Sequence, residues 1–134
     1  MSGESAAHIR LVERLVAVVK ARHQPPRGLL LLADHPAFGA NRPPSIGGFL
    51  PDVFASDLPA TFEVVGEAKT FPDLESERSA RQIRAFLDHL AVRPASTFYL
   101  AVPPFTGARA RAILNRLCEP AHAHVRLEII DGFA

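Results

Sequence analysis

Apolar residues near the start of the chain recur every third or fourth position: Ile9, Val12, Leu15, Val16 and Val19, with Leu11 and Val18 widening the stripe. This spacing predicts an amphipathic helix over residues 5–22. Gln24-Pro25-Pro26 ends it, because proline cannot continue the hydrogen-bond ladder. The period then changes. Residues 28–33 read GLLLLA, a short unbroken apolar run after a turn, which predicts a strand buried on both faces. Residues 35–51 are rich in Pro and Gly and show no period, predicting a long irregular loop of the kind that is usually functional or mobile. A short strand is expected at 52–55, a turn at 57–60 and a second strand at 61–69, the two strands forming a hairpin-like pair.

Asp73 or Ser76 can cap a second helix reaching about residue 90, with Ile83, Phe86, Leu87 and Leu90 as its inner stripe. Residues 96–102 read as a strand closed by Pro103-Pro104. Thr106 can cap a third helix that turns Ile113, Leu114 and Leu117 inward and Arg109, Arg111 and Arg116 outward. A last strand is expected at 124–130. Helices between strands imply parallel crossovers, and the tight turn at 57–60 implies an antiparallel pair. The expected fold is therefore α/β: a mixed central β-sheet flanked by helices on both faces, in one domain spanning residues 1–134.

Composition narrows the function classes. With 134 residues, 48% apolar and 22% charged, the chain can bury a sizeable core. No apolar run approaches the roughly 20 residues that span a bilayer. The N-terminus lacks the basic-then-apolar order of a signal peptide, so no membrane association and a cytoplasmic location are expected. A net charge of +1 gives no global basic field for tight, non-specific DNA binding by a monomer. It leaves room for a local basic groove, or one completed by a second subunit. The single cysteine, Cys118, excludes an internal disulfide and any cysteine-based metal site, and is expected as a buried structural thiol. Of fifteen basic residues only Lys20 and Lys69 are lysine. Arginine serves almost everywhere else, so a lysine stands out where a compact, titratable ammonium matters.

Lys69 sits in the one constellation that carries chemistry. Side chains alternate along a strand, so Glu67 and Lys69 point the same way and Ala68 the other. Asp52 opens the neighbouring strand, and the three polar groups can converge at one sheet edge. Two carboxylates, a main-chain carbonyl and waters are the hard oxygen ligands that Mg²⁺ prefers. Such an ion acidifies water and stabilises charge on a phosphoryl oxygen, while a lysine beside it can orient the water.

Pro51-Asp52, fourteen residues, then Glu67-Ala68-Lys69 resembles the PD-(D/E)xK signature of the restriction-endonuclease-like nuclease superfamily. The superfamily core, a helix, a three-strand meander, a helix and a strand, matches the expected element order over roughly residues 5–102, and the last helix and strand are an elaboration. The resemblance implies Mg²⁺ or Mn²⁺ held by Asp52 and Glu67, with the Ala68 carbonyl as a further ligand and Lys69 positioning the attacking water. It also implies a place near the metal for a glutamate of the first helix, here Glu13. One branch carries Gln-x-x-x-Tyr on the following helix. This chain has Gln82 in the glutamine position and Phe86 where the tyrosine hydroxyl would be.

The reading that follows is a metal-dependent nuclease acting on DNA phosphodiesters, with Arg22, Arg27 and Arg42 gripping substrate and a homodimer or partner protein completing the surface. The alternatives are a catalytically silent nucleic-acid-binding or assembly module on the same fold, or a solvated hairpin end in which Glu67 and Lys69 pair to little effect. Glu13 also fits a solvated helix flank. His122 and His124 have strand-like spacing but no third ligand nearby, so surface positions are expected. His89 is expected to face solvent or a partner, and His35 to pack the loop or meet phosphate.

Overall fold

The computed structural model describes residues 5–132. Its first helix, α1 (Ala6–Arg22), starts where Ser5 Oγ accepts the His8 amide, and carries Lys20 and Arg22 in its last turn, where cations suit the helix dipole. The strands are β1 (Leu29–Ala33), β2 (Val53–Asp57), β3 (Glu63–Ala68), β4 (Ser96–Val102) and β5 (Arg126–Asp131), arranged side by side in that order in one five-stranded sheet. β1, β2 and β3 are antiparallel neighbours, whereas β3, β4 and β5 run parallel. The parallel crossovers pass through α2 (Phe71–Leu74), α3 (Glu77–Ala91) and α4 (Gly107–Leu117). The mixed sheet with helices on both faces is as expected.

Each face has its own core. Leu11, Leu15 and Val19 of α1 pack with Val53, Val64, Tyr99 and Ala101 on one side. Ile83, Phe86 and Leu87 of α3 and Leu114 of α4 pack with Val65, Phe98 and Leu100 on the other. The alternation of Val64 and Val65, and of Tyr99 and Leu100, between the two cores is the period of two made visible. Gly66 lets α1 lie close to β3: a Cβ there would stand 3.3 Å from both Leu15 Cδ2 and Val53 Cβ.

Three expectations need correction. β1 is not buried on both faces. It is an edge strand paired only with β2, so Leu29 and Leu31 meet the α1 core while Leu30 is 42% exposed. The run after Lys69 also holds an extra element: Phe71–Leu74 makes one helical turn of its own, and the long helix begins only after Ser76, whose Oγ accepts the Ser79 amide. Finally, His122 is buried. Pro120 opens a tight turn in which the His122 Nδ1 accepts the Glu119 amide, leaving Nε2–H to donate to Asp88 at 2.7 Å. His124 is exposed, as expected.

The long loop before β2 is more built than its composition suggests. Pro36–Phe38 forms a 3-10 turn, and Ile46 and Phe49 exchange backbone hydrogen bonds around Gly47 and Gly48, both at positive φ. This tight turn seats the buried Ile46 against the α3 core. The Asp34 amide donates to the Asp52 carbonyl at 2.9 Å, tying the two ends of the loop together. Among the described residues, no helix is long and apolar enough to cross a membrane.

Candidate functional site

The antiparallel β2–β3 pairing, Val53 opposite Gly66, places the residue before β2 beside the end of β3. Asp52 and Glu67 meet there. The Asp52 amide donates to Glu67 Oε1 at 3.2 Å, and Asp52 Oδ2 accepts the Ala68 amide at 2.8 Å. Lys69 is held at the backbone by its amide, which donates to the Ala101 carbonyl at 3.0 Å and carries the β3–β4 ladder one residue further. Its Nζ then reaches back to Glu67 Oε2 at 3.1 Å and donates to Gln82 Oε1 on α3. Glu67 and Lys69 share a face, as strand alternation predicts.

All four side chains are buried. Two carboxylates and one ammonium in a poorly hydrated place leave the negative charge under-compensated. The Glu67 carboxyl is pushed up to about 8, first by burial and then by the Asp52 charge, against the opposing pull of Lys69. A divalent cation between the carboxylates would relieve this imbalance. Among the described residues no set of three or more His, Cys, Asp or Glu side chains gathers to hold a metal. An ion here would therefore rest on the two carboxylates, with main-chain oxygen and water completing its shell. That donor set fits Mg²⁺ or Mn²⁺ rather than zinc.

The structure thus brings together Asp52, Glu67, Ala68, Lys69 and Gln82, and directs Glu13 elsewhere. Glu13 Oε2 lies 3.0 Å from His35 Nε2 at the loop side of α1, with most of its side chain in solvent. The α1 side chain that reaches the cluster is His8, whose Nε2 is 3.3 Å from Asp52 Oδ2. Glu13 lies five positions after His8, which puts the two roughly 140° apart around the helix. The sequence does carry a signal for His8: with Leu11, Val12 and Leu15 it occupies the i, i+3, i+4, i+7 positions of the buried stripe, where an imidazole needs a partner.

The remaining polar candidates have other partners. Glu63, on the same face of β3 as Glu67 but at the far end, pairs with His89 at 2.6 Å and Arg93 at 2.8 Å. His89 is therefore engaged within the chain and not given to solvent alone. Arg22 lies at the opposite end of α1 from His8, roughly 21 Å along the axis. There it reaches Glu128 at 3.5 Å in a cleft of about 470 Å³ lined also by His23, Tyr99 and Arg126. Arg27 precedes β1, whose first residue pairs with Asp57, again away from the cluster. Of these three arginines only Arg42 stands at the Asp52 end, 3.7 Å from Asp34. Cys118 is half-buried at the end of α4, its thiol pushed up by burial and so kept protonated.

No family model matches the chain, and no curated protein or solved structure matches it either.

Proposed function

We propose that this chain is a metal-dependent nuclease of the restriction-endonuclease-like kind, hydrolysing DNA phosphodiester bonds with Mg²⁺ or Mn²⁺. The observation that carries the reading is the buried meeting of Asp52, Glu67 and Lys69 at the ends of two adjacent strands, with Glu67 and Lys69 on one face, which supports the PD-(D/E)xK resemblance. Asp52 and Glu67 would hold the cation. When bound, such an ion acidifies a water and offsets charge on a phosphoryl oxygen. Lys69 Nζ orients the attacking water and screens the charge that develops on phosphorus oxygens. Gln82 fixes Lys69 by accepting from its Nζ, and so acts as a positioning residue. With a net charge of only +1, substrate grip would come from local arginines such as Arg42, and from a second copy or a partner protein.

One feature favours a second reading, a catalytically silent binding or assembly module. Both carboxylates already accept main-chain amides, Asp52 from Ala68 and Glu67 from Asp52, as a purely structural polar cluster would. Cleavage separates the two. Incubation with single-stranded, duplex and branched DNA should give cutting with Mg²⁺ or Mn²⁺ and none with chelator. Asp52→Ala and Lys69→Ala should each lower the rate by at least ~100-fold, the scale of losing one charge-stabilising group. No cutting of any of these substrates would leave the silent module as the better account.

A further inference from the structure

Both exposed phenylalanines of the described chain lie at the end of the sheet that holds Asp52, Glu67 and Lys69. Phe71 is two residues beyond Lys69 and is 58% exposed. Phe105 follows β4, the neighbour of β3, by three residues and is fully exposed. Of the exposed aliphatic residues, Leu58 and Val92 sit in connections at the other end, Leu30 lies on the edge strand β1, and Leu50 stands in the loop just before Asp52. Apolar residues scattered singly over a surface require no explanation. Phe105 differs because its backbone is at φ 66, a region that disfavours a bulky side chain. A glycine or asparagine would hold this turn with less strain, so the turn itself does not require the ring.

Guanidinium groups accompany the aromatic rings at this end. Arg109 in the first turn of α4 lies over the Phe71 ring, 5.0 Å from its centroid, and is held there by Glu75 at 2.9 Å. Arg78 in the first turn of α3 lies over Phe49, 5.4 Å from the centroid, in the loop that leads to Asp52. Rings and guanidinium planes interleaved beside a phosphodiester site match the chemistry of unpaired nucleobases, whose faces stack and whose backbone phosphates are anionic. In a paired duplex those faces are already stacked on one another.

We infer that Phe105 and Phe71 form a base-stacking platform beside the cluster, making single-stranded or splayed nucleic acid the substrate class. The inference rests on the nuclease reading, whose site it extends. It is tested by binding rather than cutting, with a fluorescent 12-nucleotide single strand and the corresponding duplex, in chelator. The wild type should bind the single strand more tightly than the duplex. Phe105→Ala and Phe71→Ala should each weaken single-strand binding roughly 5- to 150-fold, the range for losing one stacked base. Duplex binding should stay unchanged, and Phe105→Tyr should keep wild-type affinity. Phe105→Gly removes ring and strain together, so it should lose affinity with no fall in Tm.

Equal affinity for strand and duplex, absence of binding by the wild type, or single-strand affinity unchanged in both alanine variants would overturn the platform. So would a dimer that Phe105→Ala dissociates, since the ring would then belong to an interface between copies. The nuclease reading fails separately. If no DNA is cut in any metal while single-strand binding still depends on both rings, the platform stands as a binding surface and the catalytic reading falls.

Discussion

Glu67 is enclosed at the end of β3, with Asp52 as an anionic neighbour and Lys69 as a cationic one. Burial and the Asp52 charge outweigh the ammonium, and the carboxyl rises to about 8 from an ordinary value near 4.5. A carboxyl whose value is higher folded than unfolded favours the folded state in its protonated form. The stability it contributes is complete below about 4.5 and is lost as pH rises through about 8. In chelator, the Tm of the wild type should therefore fall between pH 5 and pH 8.5. Glu67→Gln keeps the neutral shape and removes the charge, so it should flatten that fall and melt several degrees higher at pH 8.5. A variant that tracks the wild type across the whole range would show that Glu67 is not under electrostatic strain. At this scale the sequence was informative where strand parity applies: Glu67 and Lys69 were readable as one face. His8 was harder to find, because its partner Asp52 lies 44 residues away and only the fold joins them. The burial of His122 escapes the sequence for a similar reason, since it comes from the packing of its turn against α3, where Asp88 accepts the Nε2–H.

At the scale of elements, the site depends on how closely α1 approaches β3. Gly66 is the contact point, next to Glu67 and under Leu15. Adding a methyl there meets Leu15 and Val53 at 3.3 Å, and Val53 has no flexible end to move away. Gly66→Ala should lower stability by roughly 1–3 kcal/mol, as overpacking does, measured by denaturant unfolding. A neutral or stabilising result would mean that α1 shifts freely. Helices were legible from their periods, and α1, α3 and α4 run where the apolar stripes put them. The burial of β1 was not legible. GLLLLA reads the same in the middle of a sheet or at its edge, and only the pairing partner decides. Nor was α2 legible, because a single turn spanning Phe71–Leu74 is shorter than the helical period needs to declare itself. The loop looked irregular because its order comes from Gly47 and Gly48 in a tight turn seated on α3, a long-range contact.

For the whole molecule, the order of elements fixed the mixed sheet and brought one end of it into play. The β3 and β4 strands run parallel, so their ends gather on one side, and the antiparallel β2 adds Asp52 to the same place. His8 and Gln82 approach from helices on opposite faces of the sheet. The arginines expected to grip substrate divide between the two ends, with Arg42 near the cluster and Arg22 and Arg27 away from it. Charge totals in a sequence cannot reveal that division.

A cation held between Asp52 and Glu67 is the centre of the proposed chemistry. The most direct measurement is a calorimetric titration of the metal-free protein with Mn²⁺ at pH 8.5, repeated at pH 6. Saturable binding is expected, tighter at pH 8.5, where Glu67 is largely ionised and the ion has little proton to displace, and lost in Asp52→Ala. Heat that is absent in the wild type, or unchanged in Asp52→Ala, would contradict it.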